Sequence, residues 1–128
     1  MCPEIRRQDN NHWEPPGGIL ELDESLEDGV QREVVEETGM IVQVGRLTGV
    51  YKNLARGIVA LVFRCAPGTG TIHPTDEVRE VRWMTRDEVT QLMEPVFAVR
   101  VLDAFDDTPH VRVHDGISLL PARSARQH

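Results

Sequence analysis

One lysine and two cysteines are all that the 128 residues hold of those types, and each scarcity removes a class of protein. Two cysteines cannot build a disulfide framework or a thiolate zinc site. Cys65 follows an apolar run and reads as a buried thiol, while Cys2 reads as incidental. No apolar run approaches the ~18 residues of a membrane helix, and the sequence shows no signal-peptide core, so a cytoplasmic location is expected. Positive charge is also short. Fourteen Lys and Arg face 21 Asp and Glu, for a net charge of −7, which gives no general attraction to nucleic acid or to an anionic membrane. The five histidines, at positions 12, 73, 110, 114 and 128, show no metal-ligand spacing, and His73, before Pro74, reads as a loop residue. There is no internal repeat and no low-complexity segment.

What is present suits one globular domain. Hydrophobic residues make up 40% and charged residues 27%, which is ordinary for a folded chain, and the length suffices for a core. We expect a single domain over residues 1–119 and a disordered tail over 120–128. All the basic residues but Lys52 are arginines, which bind phosphate through two parallel donors.

The chain is organised around residues 18–40. Ser25, with Asp28 three positions on, forms a capping signal that starts a helix at Leu26, and Gly39 is the glycine that ends it. Leu26, Val30 and Val34 recur every four residues as an apolar stripe. Glu33, Glu36 and Glu37 fall within an arc of roughly 100° at about 100° per residue. Like charges at these spacings repel by a few tenths of a kcal/mol per pair, and acids in a last turn oppose the helix dipole. Three acids placed against both preferences point to a bound cation. Gly29, at a cost of about 1 kcal/mol in mid-helix, would leave room beside the acids. Just upstream, Pro15-Pro16-Gly17-Gly18 makes a turn able to bring backbone groups close to a ligand.

Gly18, then Glu24, then Arg32-Glu33-Val34-x-Glu36-Glu37-x-Gly39-Met40 resembles the Nudix box, with every fixed position filled. Trp13-Glu14-Pro15-Pro16-Gly17 resembles the lead-in that many members carry. The resemblance implies an α/β (α+β) fold, an α/β/α sandwich with a mixed sheet. It also implies hydrolysis of the pyrophosphate bond of a nucleoside diphosphate linked to another moiety, dependent on Mg²⁺ with Mn²⁺ as a substitute. Glu33, Glu36 and Glu37, with the backbone carbonyl of Gly17 or Gly18, would be the metal ligands. Arg32 and Glu24 would brace them through a salt bridge. Water would attack one phosphorus while the metal neutralises the phosphate oxygens. Within the family the base is sometimes the glutamate at the Glu33 position and sometimes an acid on a later loop. Glu77 and Glu80 are the loop acids here, and Glu77 is preferred because its surroundings read as loop. The implied catalytic set is Arg32, Glu33, Glu36 and Glu77. The alternative is a non-catalytic nucleotide-binding module; such proteins usually show decayed boxes, and this one is intact.

The remaining chain supplies the frame. Ile5-Arg6-Arg7 reads as the tail of a strand. Two strands usually precede the box in the family, and here they look shortened or missing. Either the start is trimmed or misassigned, or a neighbouring chain completes the sheet, and the second alternative gives a homodimer. Residues 41–51 read as one or two strands, and the near-continuous apolar run 58–65 as a strand covered on both faces. Val78, Val81 and Trp83 mark another strand. Thr85 with Glu88 forms a capping box that opens a helix to about Met93. Pro95 starts a second helix, with Phe97, Val101 and Phe105 at helical spacing, and residues 111–116 form a last strand or an extended arm. Lys52 and Arg56, between two strands, are candidates for clamping a phosphate. Trp13 is a candidate for lining the site, and Tyr51 and Trp83 for stacking on a base.

Overall fold

A computed structural model describes residues 3 to 121, so Cys2 and most of the tail expected from residue 120 lie outside the described residues. Two short strands come first, β1 (Glu4–Arg7) and β2 (Trp13–Glu14), so the strands before the box are shortened and not missing. Helix α1 (Leu26–Thr38) follows, then the long strands β3 (Met40–Asn53) and β4 (Ile58–Gly70). Strand β5 (Val78–Arg82), helices α2 (Arg86–Leu92) and α3 (Pro95–Asp103), and strand β6 (His110–His114) complete the described chain. Leu120 is still tied to β6, donating its N–H to Val113 O at 2.9 Å.

The strands form two three-stranded sheets. One runs β2-β1-β5, antiparallel throughout. The other runs β4-β3-β6 and is mixed, with β4 antiparallel and β6 parallel to β3. Helix α1 packs over the first half of β3, where Val34, Met40, Val42 and Cys65 form one buried cluster. Further along β3 the chain turns Tyr51 the other way, toward α3. Its hydroxyl donates to Asp103 Oδ2 at 2.8 Å, and Arg112 of β6 grips both oxygens of the same carboxylate at 2.6 and 2.8 Å. A second cluster, Trp13, Met84, Val89, Met93 and Ala98, joins β2 to α2 and α3. The helices thus cover opposite faces of the mixed sheet, which is the layered arrangement expected. Among the described residues no helix is long and apolar enough to cross a membrane.

Two expectations fail, and the first concerns β4. The apolar run in β4 is not covered on both faces: Ile58 is 50% exposed, Val59 54% and Leu61 39%. The reason is topological. β4 is the outermost strand of its sheet and hydrogen-bonds only to β3, and alternation cannot distinguish an edge from a centre. Trp83, expected within a strand, lies just past the end of β5 and is 40% exposed.

Sheet burial also leaves a carboxyl short of partners. Glu4 is 4% exposed, its Oε2 has no hydrogen-bond partner, and burial pushes its carboxyl up to about 8. A carboxyl whose folded pKa is raised contributes its full stability below the unfolded value. That contribution is lost as the pH rises from there through about 8. Glu4→Gln is therefore expected to raise the melting temperature by several degrees near pH 8.5 and to change it little near pH 4. A thermal melt series across that range checks this, and an equal effect at both ends would contradict it.

Candidate active site

The site begins with the start of α1. Ser25 Oγ accepts the N–H of Asp28 at 3.1 Å, and Gly39 ends the helix at φ 83°. These ends place Glu33, Glu36 and Glu37 in the final turns, on the side facing the Pro15–Gly18 loop. Gly17 donates its N–H to Glu37 Oε1 at 2.7 Å. Gly18 lies so close to Glu33 that a Cβ built on it would come within 2.4 Å of Glu33 Oε1. Loop and helix therefore meet through the two glycines, as the turn chemistry suggested.

Arg32 is the local counter-charge. Its guanidinium donates to Glu24 Oε1 at 2.7 Å, Glu33 Oε1 at 3.0 Å, Glu36 Oε2 at 3.3 Å and the carbonyl of Ile19 at 3.1 Å. Glu24 also accepts the N–H of Glu21 at 2.9 Å. Arg32 and that N–H hold its carboxyl down at about 2, and the hydrogen bond to Glu24 pushes the arginine above its ordinary range. Gly29 has a different use from the one expected. A Cβ there would meet Leu20 Cδ1 at 2.4 Å and Glu24 Oε1 at 3.1 Å, so the glycine admits the bracing loop and leaves no void beside the acids.

Glu37 differs from its neighbours. It is 8% exposed, and burial pushes its carboxyl up to about 7 despite the Gly17 N–H. Two residues that sequence reasoning missed share its surroundings. Glu14, itself raised by burial, pushes Glu37 up, and Arg7, 3.5 Å from Glu14, pulls it down. The only signal in the chain was position, since Glu14 stands three residues before Gly17.

Across from the helix lies the segment leading into β5. Glu33, Glu36 and Glu37 line one side of a cleft of about 310 Å³, and Thr75, Asp76 and Glu77 line the other. Of the two loop acids, the fold thus brings Glu77 to the cleft. Glu80 instead pairs with Arg82 at 3.2 Å and Arg6 at 3.9 Å. Trp13 is 6% exposed, packed in the second core cluster with Arg6 and Arg82 over its ring, and does not line the cleft. Lys52 and Arg56 stand at the β3–β4 hairpin, exposed and outside the lining. Tyr51 is fully buried and engaged with Asp103. Among the described residues, the group of three acidic or histidine side chains whose ligand atoms lie within 4.8 Å of one another is Asp103, Asp106 and His110, and not the three glutamates. Both Asp103 oxygens are already taken by Arg112 and Tyr51, so this group serves as a tie between α3 and β6.

Comparison with known proteins identifies the family. The family model for the NUDIX domain matches residues 4–105. A MutT-like protein of Streptomyces ambofaciens is 60% identical over 119 residues, covering 92% of this chain and 77% of the relative. An ADP-ribose pyrophosphatase of Methanocaldococcus jannaschii is 32% identical over 81 residues, covering 60% of this chain and 48% of that protein. The crystal structure of a NUDIX hydrolase from Nitrosomonas europaea superposes with a TM-score of 0.74 over 89% of this chain and 73% of its own, at 21% identity. The chain belongs to the NUDIX family. Its class is that of the pyrophosphohydrolases, which cleave the pyrophosphate bond of a nucleotide.

Gly18→Ala is expected to push Glu33 aside, because the new methyl cannot share its place. Misplacement of that kind should lower turnover by at least about tenfold, with the melting temperature held within a few degrees because the loop is exposed. Wild-type turnover in this variant would contradict the close packing.

Proposed function

We propose that the protein hydrolyses a nucleoside diphosphate linked to another moiety in a Mg²⁺-dependent reaction, with Mn²⁺ as a substitute. The observation that carries this reading is the cleft, in which three glutamates of one helix face Asp76 and Glu77. The residues fit a hard divalent cation. Every donor is oxygen, and such ions take a few carboxylates together with waters and phosphate oxygens. Glu37 turns one oxygen to the N–H of Gly17 at 2.7 Å, which sets its carboxyl between the helix and the loop.

Glu33, Glu36 and Glu37, with the carbonyl of Gly17 or Gly18, would hold the ion. When bound, it would neutralise phosphate oxygens and assist the leaving phosphate. The chain's own residues do the rest. Glu24 and Arg32 hold the glutamates in register from behind. Glu77 receives the proton of the attacking water from the far side of the cleft. With a net charge of −7, the protein has no broad positive field to collect a polyphosphate, so binding depends on this one site. ADP-ribose has the required chemistry, a nucleoside diphosphate joined to a sugar, and belongs in the first substrate panel.

A homodimer would form along β4. Between Ile58 and Ala66 that strand offers an open edge with one charge, Arg64, until Pro67 removes a donor. Antiparallel pairing of two copies about Leu61 sets Val59 of one beside Phe63 of the other and keeps the two arginines well apart. Light scattering is expected to show a dimer that Val59→Lys turns into a monomer. A monomeric wild type would overturn this.

For the site itself, Glu36→Gln and Glu37→Gln are each expected to lower turnover at least about 100-fold, and chelation of divalent ions to abolish it. Phosphate release from a panel of nucleotides checks both. The assignment fails if both variants keep full metal-dependent activity. Nucleotide binding without any turnover would favour the non-catalytic module.

A further inference from the structure

The segment from Thr71 to Glu77, which leads into β5, carries Asp76 and Glu77, yet it has no regular structure of its own. Something must hold its carboxylates over the cleft. Its fastenings are few and specific. At one end His73 donates its N–H to Thr38 O, at the C-terminal end of α1, at 3.0 Å. At the other, Glu77 O accepts the N–H of Gln8 beside β1 at 3.0 Å. Between them Thr75 folds the chain into a tight turn. Its N–H donates to Val78 O at 3.0 Å, while its Oγ1 accepts the N–H of Val78 at 3.2 Å and that of Glu77 at 3.3 Å.

The His73 ring lies directly against Gly39. A Cβ on that glycine would come within 2.5 Å of His73 Nε2 and 2.5 Å of Thr71 O. Nδ1 of the same ring lies 3.2 Å from Pro74 O, so the neutral tautomer with its proton on Nδ1 closes the ring back onto its own backbone. Gly39 therefore has two duties. Its left-handed φ of 83° ends the helix, and its missing side chain makes the seat into which the segment is latched.

We propose that His73 is a positioning residue for the hydrolysis, latching the 71–77 strap onto the end of α1 and so fixing Asp76 and Glu77 opposite Glu33, Glu36 and Glu37. The latch joins the two walls of the cleft at one corner, because Thr38 and Gly39 directly follow Glu36 and Glu37. The backbone bond to Thr38 O survives a change of side chain, so what the ring adds is its packing against Gly39, which keeps the strap in register on the helix end. This rests on the reading of the cleft as the hydrolytic site, and the experiment separates the two.

His73 is exposed, so replacing it leaves the core intact. His73→Ala is expected to lower kcat about tenfold or more, with KM and the affinity for Mn²⁺ within about twofold of wild type. His73→Asn, which can keep a side-chain donor near Pro74 O, is expected to recover most of the loss. In hydrogen exchange, the amides of Glu77 and Val78 exchange faster in His73→Ala while those of α1 do not change. Combined with Glu77→Gln, the histidine variant adds little further loss, because both remove the same carboxylate from its place. Wild-type kcat in His73→Ala, an unchanged exchange pattern, or full additivity with Glu77→Gln would each overturn the proposal. If the wild type proves inactive on every nucleotide, the exchange measurement still decides whether the latch exists.

Discussion

Three carboxylates crowded along one side of a single helix form the constraint that the rest of this structure answers. Left alone, Glu33, Glu36 and Glu37 repel one another and the negative end of α1. The chain offsets this with one arginine, one amide and a bracing loop. Arg32 reaches two of the three acids and is itself fixed by Glu24. Gly17 meets the third. Gly29 lets the loop that carries Glu24 lie against the helix. Glu37 is still held far above an ordinary carboxyl, first by burial and then by Glu33 beside it. The crowding of these acids is the physical basis of the proposed cation site.

The two sheets give that demand a location. Sheet β4-β3-β6 supports α1 through Val34 and Val42, while sheet β2-β1-β5 delivers the acidic strap from the opposite direction. The cleft lies where the two meet, so neither sheet alone makes a site. Tyr51, Asp103 and Arg112 tie α3 to the mixed sheet well away from the chemistry. Asp103 is buried and its charge is met by Arg112 and Tyr51, which suits a frame whose function is to stay still.

Much of this was legible in the chain because local chemistry fixed it. Ser25 and Gly39 bracket α1, and Thr85 with Glu88 opens α2 with both capping contacts made. The crowding of the acids follows from helical spacing alone. What was not legible depended on neighbours in space. The run from Ile58 to Cys65 has the composition of a central strand, and only the pairing shows it at an edge. Trp13 and Glu14 are adjacent, but a strand sends them to opposite faces. The tryptophan entered the core and the glutamate turned toward Glu37, the reverse of the expected emphasis. Glu77 and Glu80 were separable only weakly by sequence, and the strap's route across the helix end distinguished them.

The central claim is that these glutamates are built to hold a divalent cation. It is tested most directly by titrating Mn²⁺ into the nucleotide-free protein in a calorimeter near pH 7.5. Wild type is expected to bind the ion, and the Glu36→Gln, Glu37→Gln double variant is expected to show no comparable heat. Binding that survives in the double variant, or none in the wild type, would contradict the account.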